Sequence, residues 1–338
     1  HYGNSIGVPT VGGEVYFEGP YAQNCLVNAM CLGLAESDRL IRSAAAGPGN
    51  VLVLFGARTG RDGIGGASVL ASAELDEADE AKRPSVQIGD PFEESRLLEC
   101  SLELLDAGLL VSLQDLGAAG LTSSASEMAS KGGVGVDLDV AAVPLREADM
   151  EPFEVMVSES QERMLCVVEP ARVDAVLEVC AKWEVLATPI GAVTDTGRFR
   201  VLKNGRTVGD VPVAALVDDC PLYDLAPAPP AAPLYPAPPR TLESDADAGA
   251  VLLALLGSPN LASRRPLFEQ YDSIVQSRTV RRPEQADAAV LLLPGGGALA
   301  VSIDGNGRRV ACDPYAGAAA AVAECAANLA CVGAEPLG

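Results

Sequence analysis

The chain has 338 residues, of which 49% are hydrophobic, 21% charged and 4% aromatic, with a formal charge of −22. This is ample for packed cores, excludes a disordered chain, and suggests about two domains at roughly 150 residues each. The negative charge repels nucleic-acid backbones and excludes a general nucleic-acid binder, while the single histidine, His1, leaves no Ser-His-Asp triad, Cys-His protease or His-ligated zinc site within the chain.

In chain order, Val51–Phe55 is a short apolar run that predicts a buried strand, entering the glycine-rich loop Gly56-Ala-Arg-Thr-Gly-Arg-Asp-Gly-Ile-Gly-Gly66. Asp90-Pro91-Phe92-Glu93 opens a helix: Asp90 can cap, Pro91 suits the first helical position and Glu93 can complete a capping box. That helix is predicted to run to about Asp106 and stop at Gly108. Leu109–Leu113 reads as a strand ending at Gln114-Asp115, followed by Gly117, Gly120 and a helix near Ser123–Ser130. Arg163–Val168 and Val185–Val193 read as strands, with a helix over Pro170–Trp183 between them. The alternation predicts an α/β fold with mixed sheets.

Eight prolines lie between Pro221 and Pro239, a density that excludes helix and central strand and predicts an extended linker. The acidic stretch Glu243–Asp247 leads into a helix over Ala250–Leu256 that ends at Gly257. Ala288–Leu293 and Leu299–Ile303 read as strands. Asp313-Pro314 then opens a last helix by the same capping logic, ending near Gly333. Its stretch Tyr315–Gly333 is mostly Ala but carries Glu324 and Asn328, which predicts a buried helix and no membrane span. Nine cysteines, with no Cys-x-x-Cys pair and mostly among Ala, Val and Leu, predict buried reduced thiols in a cytoplasmic protein. The chain opens on His-Tyr-Gly-Asn and has no signal peptide, so it reads as a fragment, with Gly338 as an internal position.

Four places carry candidate chemistry. The glycine-rich loop could offer backbone N–H groups to an anion, or its glycines could serve a tight turn and close packing. Asp115, at the C-terminal end of a strand, could bind Mg²⁺ or cap a turn. Gln87 is either a substrate-binding amide or an exposed loop residue. Glu159, Ser160 and Gln161 could form a substrate loop in which carboxylate, hydroxyl and amide converge, or could start a strand with one solvated face.

Together these runs resemble the phosphoribosylformylglycinamidine synthase family. The resemblance is carried by Tyr2-Gly-Asn-Ser-Ile-Gly-Val-Pro-Thr-Val-Gly-Gly-Glu14, the Gly56–Ala67 loop, Lys82-Arg-Pro-Ser-Val-Gln-Ile-Gly-Asp-Pro-Phe92 and Gln114-Asp-Leu-Gly-Ala-Ala-Gly-Leu121. It continues through Ser158-Glu-Ser-Gln-Glu-Arg-Met164, Glu269-Gln-Tyr-Asp272 and Asp304-Gly-Asn-Gly307, in matching order and spacing. It implies tandem aminoimidazole ribonucleotide synthetase-like units, the first lacking its start and the second truncated. Residues 1–45 would end the ATP-binding half of the first unit and 46–222 would form its second half. Residues 223–248 would be the linker, and 249–338 would begin the ATP-binding half of the second unit.

The resemblance further implies an ATP-dependent ligase of purine biosynthesis that converts formylglycinamide ribonucleotide to formylglycinamidine ribonucleotide. ATP phosphorylates the amide oxygen, ammonia attacks, and phosphate leaves. Gln87, Glu159, Ser160 and Gln161 match substrate-binding positions and Asp115 a magnesium ligand, so Mg²⁺ and ATP are implied. The ammonia would come from a glutaminase subunit or domain, with a small bridging subunit as a further implied partner. The family's catalytic histidine loop would lie upstream of residue 1, so no catalytic residue is assigned. Two departures stand in the last helix, where Ala319 and Ala327 replace a Lys and an Arg of the family pattern. Other ATP-dependent members of the superfamily (aminoimidazole ribonucleotide synthetase, thiamine-phosphate kinase, selenophosphate synthetase) fit less well, because of the Glu-Ser-Gln loop and the second copy past the linker. A non-catalytic scaffold is supported only by the missing histidine loop and the two alanines.

Overall fold

The computed structural model describes residues 1–22, 25–64, 87–229, 231–233 and 246–337. Residues 65–67 of the glycine-rich loop, the run 82–86, and the linker and acidic stretch at 234–245 therefore lie outside the described residues. The chain divides into two units, one of residues 23–223 and one of 1–22 with 224–338.

The 23–223 unit is built on a seven-stranded mixed sheet of order β2-β4-β1-β5-β3-β6-β7. Its strands are β1 (Val51–Gly56), β2 (Ser112–Asp115), β3 (Gly135–Asp139), β4 (Arg163–Val168), β5 (Ala187–Thr194), β6 (Arg198–Lys203) and β7 (Arg206–Pro212). Every neighbouring pair is antiparallel except β3 with β6. Helices cover both faces, so the central strands are apolar without alternation. On β1, Leu52 and Leu54 point into one core while Val53 and Phe55 point into the other; on β4, Leu165 and Val167 oppose Cys166 and Val168 in the same way.

Helices α1 (Pro91–Asp106) and α4 (Val173–Lys182) cover one face through Leu97, Leu104 and Val176. Helices α2 (Gly120–Gly132) and α3 (Pro152–Val157) cover the other through Leu121, Met128 and Val155. The Asp90 side chain accepts from Phe92 N at 3.0 Å and Glu93 N at 3.3 Å, as a cap should. Glu93 does not close a capping box. The Asp90 N–H donates instead to Glu162 Oε1 at 3.0 Å, and Glu93 pairs with Arg96. A distant carboxylate has taken the local one's place and ties the start of α1 to the loop before β4. Gly108, at φ +62°, ends α1 as predicted. The predicted helix over Pro170–Trp183 is a 3₁₀ turn, Pro170–Arg172, followed by α4. Strands β3, β6 and β7 had no counterpart in the sequence reading.

The second unit holds a three-stranded antiparallel sheet of β8 (Thr279–Arg281), β9 (Ala289–Leu292) and β10 (Ala298–Val301), in the order β10-β9-β8. After α5 (Val213–Leu216) of the larger unit come its longer helices α6 (Ala248–Leu256), α7 (Gly307–Cys312) and α8 (Pro314–Cys331), besides single turns at Tyr2–Ser5 and Arg265–Phe268. The described linker residues 220–229 contain neither helix nor strand. Asp247 caps α6 through Ala250 N at 2.8 Å, and Asp313 caps α8 through Ala316 N at 2.9 Å. The two ends of the chain meet here: Asp272 O accepts from Asn4 Nδ2 at 2.7 Å and from Thr10 N at 2.9 Å. Asn328 Nδ2 donates to Asp304 at 3.0 Å, and burial together with the Asp304 charge raises the Glu14 pKa.

Two expectations are corrected. Helix α8 is not a buried helix. Only Gly317 is buried, against α7, while Tyr315 and Val322 are 87% and 70% exposed. A largely alanine surface is apolar on every side, so composition could not tell which stripe is covered. The cysteines are all free, but only Cys100, Cys166 and Cys180 are buried; Cys25, Cys31, Cys220, Cys312 and Cys331 are exposed. Burial pushes the Cys166 thiol well up, and Cys100 and Cys180 lie 3.7 Å apart in the same apolar layer. Native-state alkylation mapped by mass spectrometry should label the five exposed cysteines and spare these three until the fold is unfolded. Early labelling of Cys166 would contradict this packing. Among the described residues no helix is long and apolar enough to cross a membrane.

Candidate functional site

Because β4 runs antiparallel between β1 and β2, its first two residues lie beside the last residues of both: Arg163 pairs with Gly56, and Met164 with Asp115. The topology therefore gathers three loops at one end of the sheet, Gly56–Ile64 after β1, Leu116–Ala119 after β2, and Ser158–Glu162 before β4. Glu159, Ser160 and Gln161 lie on these loops, Asp115 is the last residue of β2, and Gln87 lies just ahead of α1.

Arg163 is the hub. It is 2% exposed, and its guanidinium donates to Ser158 O at 2.6 Å, Ser160 O at 2.8 Å and Thr59 Oγ1 at 2.8 Å. Burial lowers its pKa to about 10, still leaving it charged at neutral pH. Asp62, 4% exposed, accepts from Arg146 at 2.8 and 2.9 Å and from the Ser160 hydroxyl. That bond to Asp62 is the main reason the Arg146 pKa is raised. Arg61 spans Glu154 at 2.8 Å and Glu147 at 3.1 Å, which pins the loop at its outer side.

Glu159 is 2% exposed. It accepts from Gln87 Nε2 at 2.6 Å on one carboxylate oxygen and from Ala119 N at 3.0 Å on the other. The structure thus brings Gln87 and Glu159 together and binds both to the loop after β2. The Ser160 hydroxyl is buried and engaged by Gly60 N at 2.9 Å as well as by Asp62. The Gln161 amide donates to Glu159 O at 2.9 Å, and its residue lines a cleft of about 450 Å³ with Ser160, Arg58, Asp90, Arg96 and Arg146. Asp115 is exposed and its carboxylate takes no hydrogen bond from a described residue. The N-cap of α2 is Ala119, so Asp115 does not cap that helix. Ala119 and Glu162 hold left-handed backbones at φ +57°, which is unusual for residues with a Cβ.

Four amides in the described part of the glycine-rich loop are turned into the protein. The N–H groups of Ala57, Thr59, Gly60 and Arg61 donate to Glu162 O, Pro144 O, Ser160 Oγ and Glu147 Oε1. Its glycines serve packing: a Cβ at Gly56 would lie 2.1 Å from Glu162 O, and one at Gly63 2.5 Å from the Glu159 side chain. Arg163, Asp62, Arg146 and Arg58 were missed as site residues. The available signal was Arg163 itself, a lone charge opening an otherwise apolar strand.

Among the described residues no group of three or more His, Cys, Asp or Glu is placed to hold a metal. A single free carboxylate such as Asp115 fits one ligand of a Mg²⁺ that draws its others from water and phosphates, the usual manner of that ion.

The model of the AIR synthase related protein C-terminal domain matches residues 47–204, and that of the N-terminal domain matches residues 1–35 and 285–338. The "Phosphoribosylformylglycinamidine synthase subunit PurL" of Moorella thermoacetica is 50% identical over 99% of this chain and 46% of its own length. Among solved structures, "T. maritima PurL complexed with FGAR" superposes with a TM-score of 0.78 at 35% identity, over 100% of this chain and 52% of that one. "T. maritima PurL complexed with ATP" gives 0.69 at 32% identity, over 95% and 48%. The chain spans about half the length of the curated relatives it matches.

Proposed function

Since this chain belongs to the AIR synthase related family, in its phosphoribosylformylglycinamidine synthase branch, we propose that it forms part of an enzyme that converts formylglycinamide ribonucleotide to formylglycinamidine ribonucleotide at the expense of ATP. The observation that carries this reading is the Gln87–Glu159–Ala119 bond chain, which ties together three motif segments far apart in sequence, two of which reach the cleft through the neighbouring Ile88 and Ser160. A scaffold has no need for a buried carboxylate spanning three loops.

In this reading Gln161 and Gln87 present amides to the substrate. Glu159 and Ser160, both buried, set where those amides stand. Asp115 is a Mg²⁺ ligand; the ion supplies charge neutralisation for a phosphoryl group when bound. Residues 1–45 and 249–338 belong to two ATP-binding halves, and 46–222 completes the first copy. Ammonia is supplied by a glutaminase subunit or domain, with a small bridging subunit as a further partner, and the enzyme works in the cytoplasm.

The test is an assay of the full-length protein with ATP, ammonia and formylglycinamide ribonucleotide. Turnover dependent on all three supports the reading, and none under any ammonia supply overturns it. Gln161→Ala should raise KM for the ribonucleotide about 10-fold, the loss of one hydrogen bond, and leave KM for ATP within twofold. A rise confined to ATP would place Gln161 against the other substrate.

A further inference from the structure

We propose that Arg58 is the cation that receives the phosphate of the ribonucleotide, an inference resting on the assignment of the Gln161 cleft to that substrate. Three arginines line the cleft. Arg96 is paired with Glu93 and, at 3.0 Å, with Glu184. Arg146 is paired with Asp62 at 2.8 Å and with Glu147 at 3.3 Å. Arg58 is exposed and, among the described residues, makes no ion pair or side-chain hydrogen bond.

The backbone beneath Arg58 is fixed on both sides. Ala57 N donates to Glu162 O at 2.8 Å and Thr59 N to Pro144 O at 2.9 Å. The side chain therefore rises from a rigid base, with its charge uncommitted, next to a candidate substrate amide. The four carboxylates that also line the cleft are engaged: Asp90 by its cap bonds, Glu162 by Asp90 N, and Glu93 and Glu184 by Arg96.

A chain with a net charge of −22 offers a phosphate no general attraction, so a local cation has to supply it. The amides of Ala57, Thr59, Gly60 and Arg61 on the same loop are spent inside the protein. A guanidinium can grip two phosphate oxygens at once, and a lysine would meet them only as a point charge.

The experiment compares full-length wild type, Arg58→Ala and Arg58→Lys with three substrates: ATP, the ribonucleotide and its dephosphorylated nucleoside. Arg58→Ala should raise KM for the ribonucleotide about 10- to 100-fold, the range for a charge-assisted bond. KM for the nucleoside and for ATP should stay within twofold, and Arg58→Lys should recover part of the loss. An unchanged ribonucleotide KM, an equal rise for the nucleoside, or a rise for ATP instead would overturn the assignment. Among the described residues Arg58 makes no ion pair or side-chain hydrogen bond, so its variants should melt with wild type.

If wild type fails to turn over the ribonucleotide, the functional reading falls, and Arg58 is then judged by calorimetric titration with ribose 5-phosphate. Binding to wild type that Arg58→Ala abolishes sustains the phosphate site; no binding, or binding indifferent to the substitution, removes it.

Discussion

Arg163→Met is expected to destabilise the protein by about 3 kcal/mol, and to lower the melting temperature by about 6–12 °C for a unit of roughly 200 residues. Two opposing effects decide the size. Methionine matches much of the arginine's length and removes a charge that burial already disfavours, which is a gain. Against this, Ser158 O, Ser160 O and Thr59 Oγ1 lose their donors together. Buried acceptors left unpaired cost about 1–3 kcal/mol each, so three outweigh the gain. Arg163→Lys should fall between, because a single ammonium cannot reach all three from one position. Thermal melts followed by circular dichroism read this directly. A shift of less than about 2 °C for Arg163→Met would mean that the three loops hold one another without it.

The second large effect is on turnover. Asp115→Asn should lower kcat at least about 100-fold at saturating ATP while melting within about 2 °C of wild type. Asparagine keeps the shape and loses only the charge. The Asp115 carboxylate accepts no hydrogen bond from a described residue, so little structure depends on it, and Ala119 already occupies the cap position of α2. The Ser124 hydroxyl bond reaches the Asp115 backbone oxygen at 2.7 Å, and asparagine retains that oxygen. Raising Mg²⁺ should recover part of the activity if the ion still visits a weakened site. Full activity with an unchanged Mg²⁺ requirement would remove Asp115 from the metal's ligands.

Much of the larger unit was readable from local pattern. β1 is an unbroken apolar run, β4 is one after its opening Arg163, and Asp90-Pro91 marks the start of α1 within one residue. Strands β3, β6 and β7 escaped because they mix charge with apolar residues. Arg200 on β6 meets Asp137 on β3, and Arg198 meets Asp210 on β7, so their charges answer one another across the sheet. No window of one strand contains that information. The site divides in the same way. Glu159, Ser160 and Gln161 stand out as polar residues between apolar segments, yet the sequence does not say which of them face inward. Thr59 and Arg163 are 104 positions apart, and their bond exists only once β1 and β4 are paired. The replacement of Glu93 by Glu162 at the start of α1 has the same cause: a capping rule sees three residues ahead, and the fold offered a partner 72 positions away.

The seating of β4 between β1 and β2 also limits how this protein can diverge. Inserting or deleting one residue between Gln161 and Arg163 would force either the loop or the strand to absorb the change. If the strand moved, Leu165 and Val167 would exchange layers with Cys166 and Val168, and every pairing to both neighbours would be lost at once. If the loop moved, Glu159 would leave the amides of Gln87 and Ala119. New side chains can be tried at position 161 at the loss of one bond, to Glu159 O, with the pairing of β4 and the bonds of the Glu159 carboxylate kept. The segment is therefore open to change in chemistry at position 161 and closed to change in length.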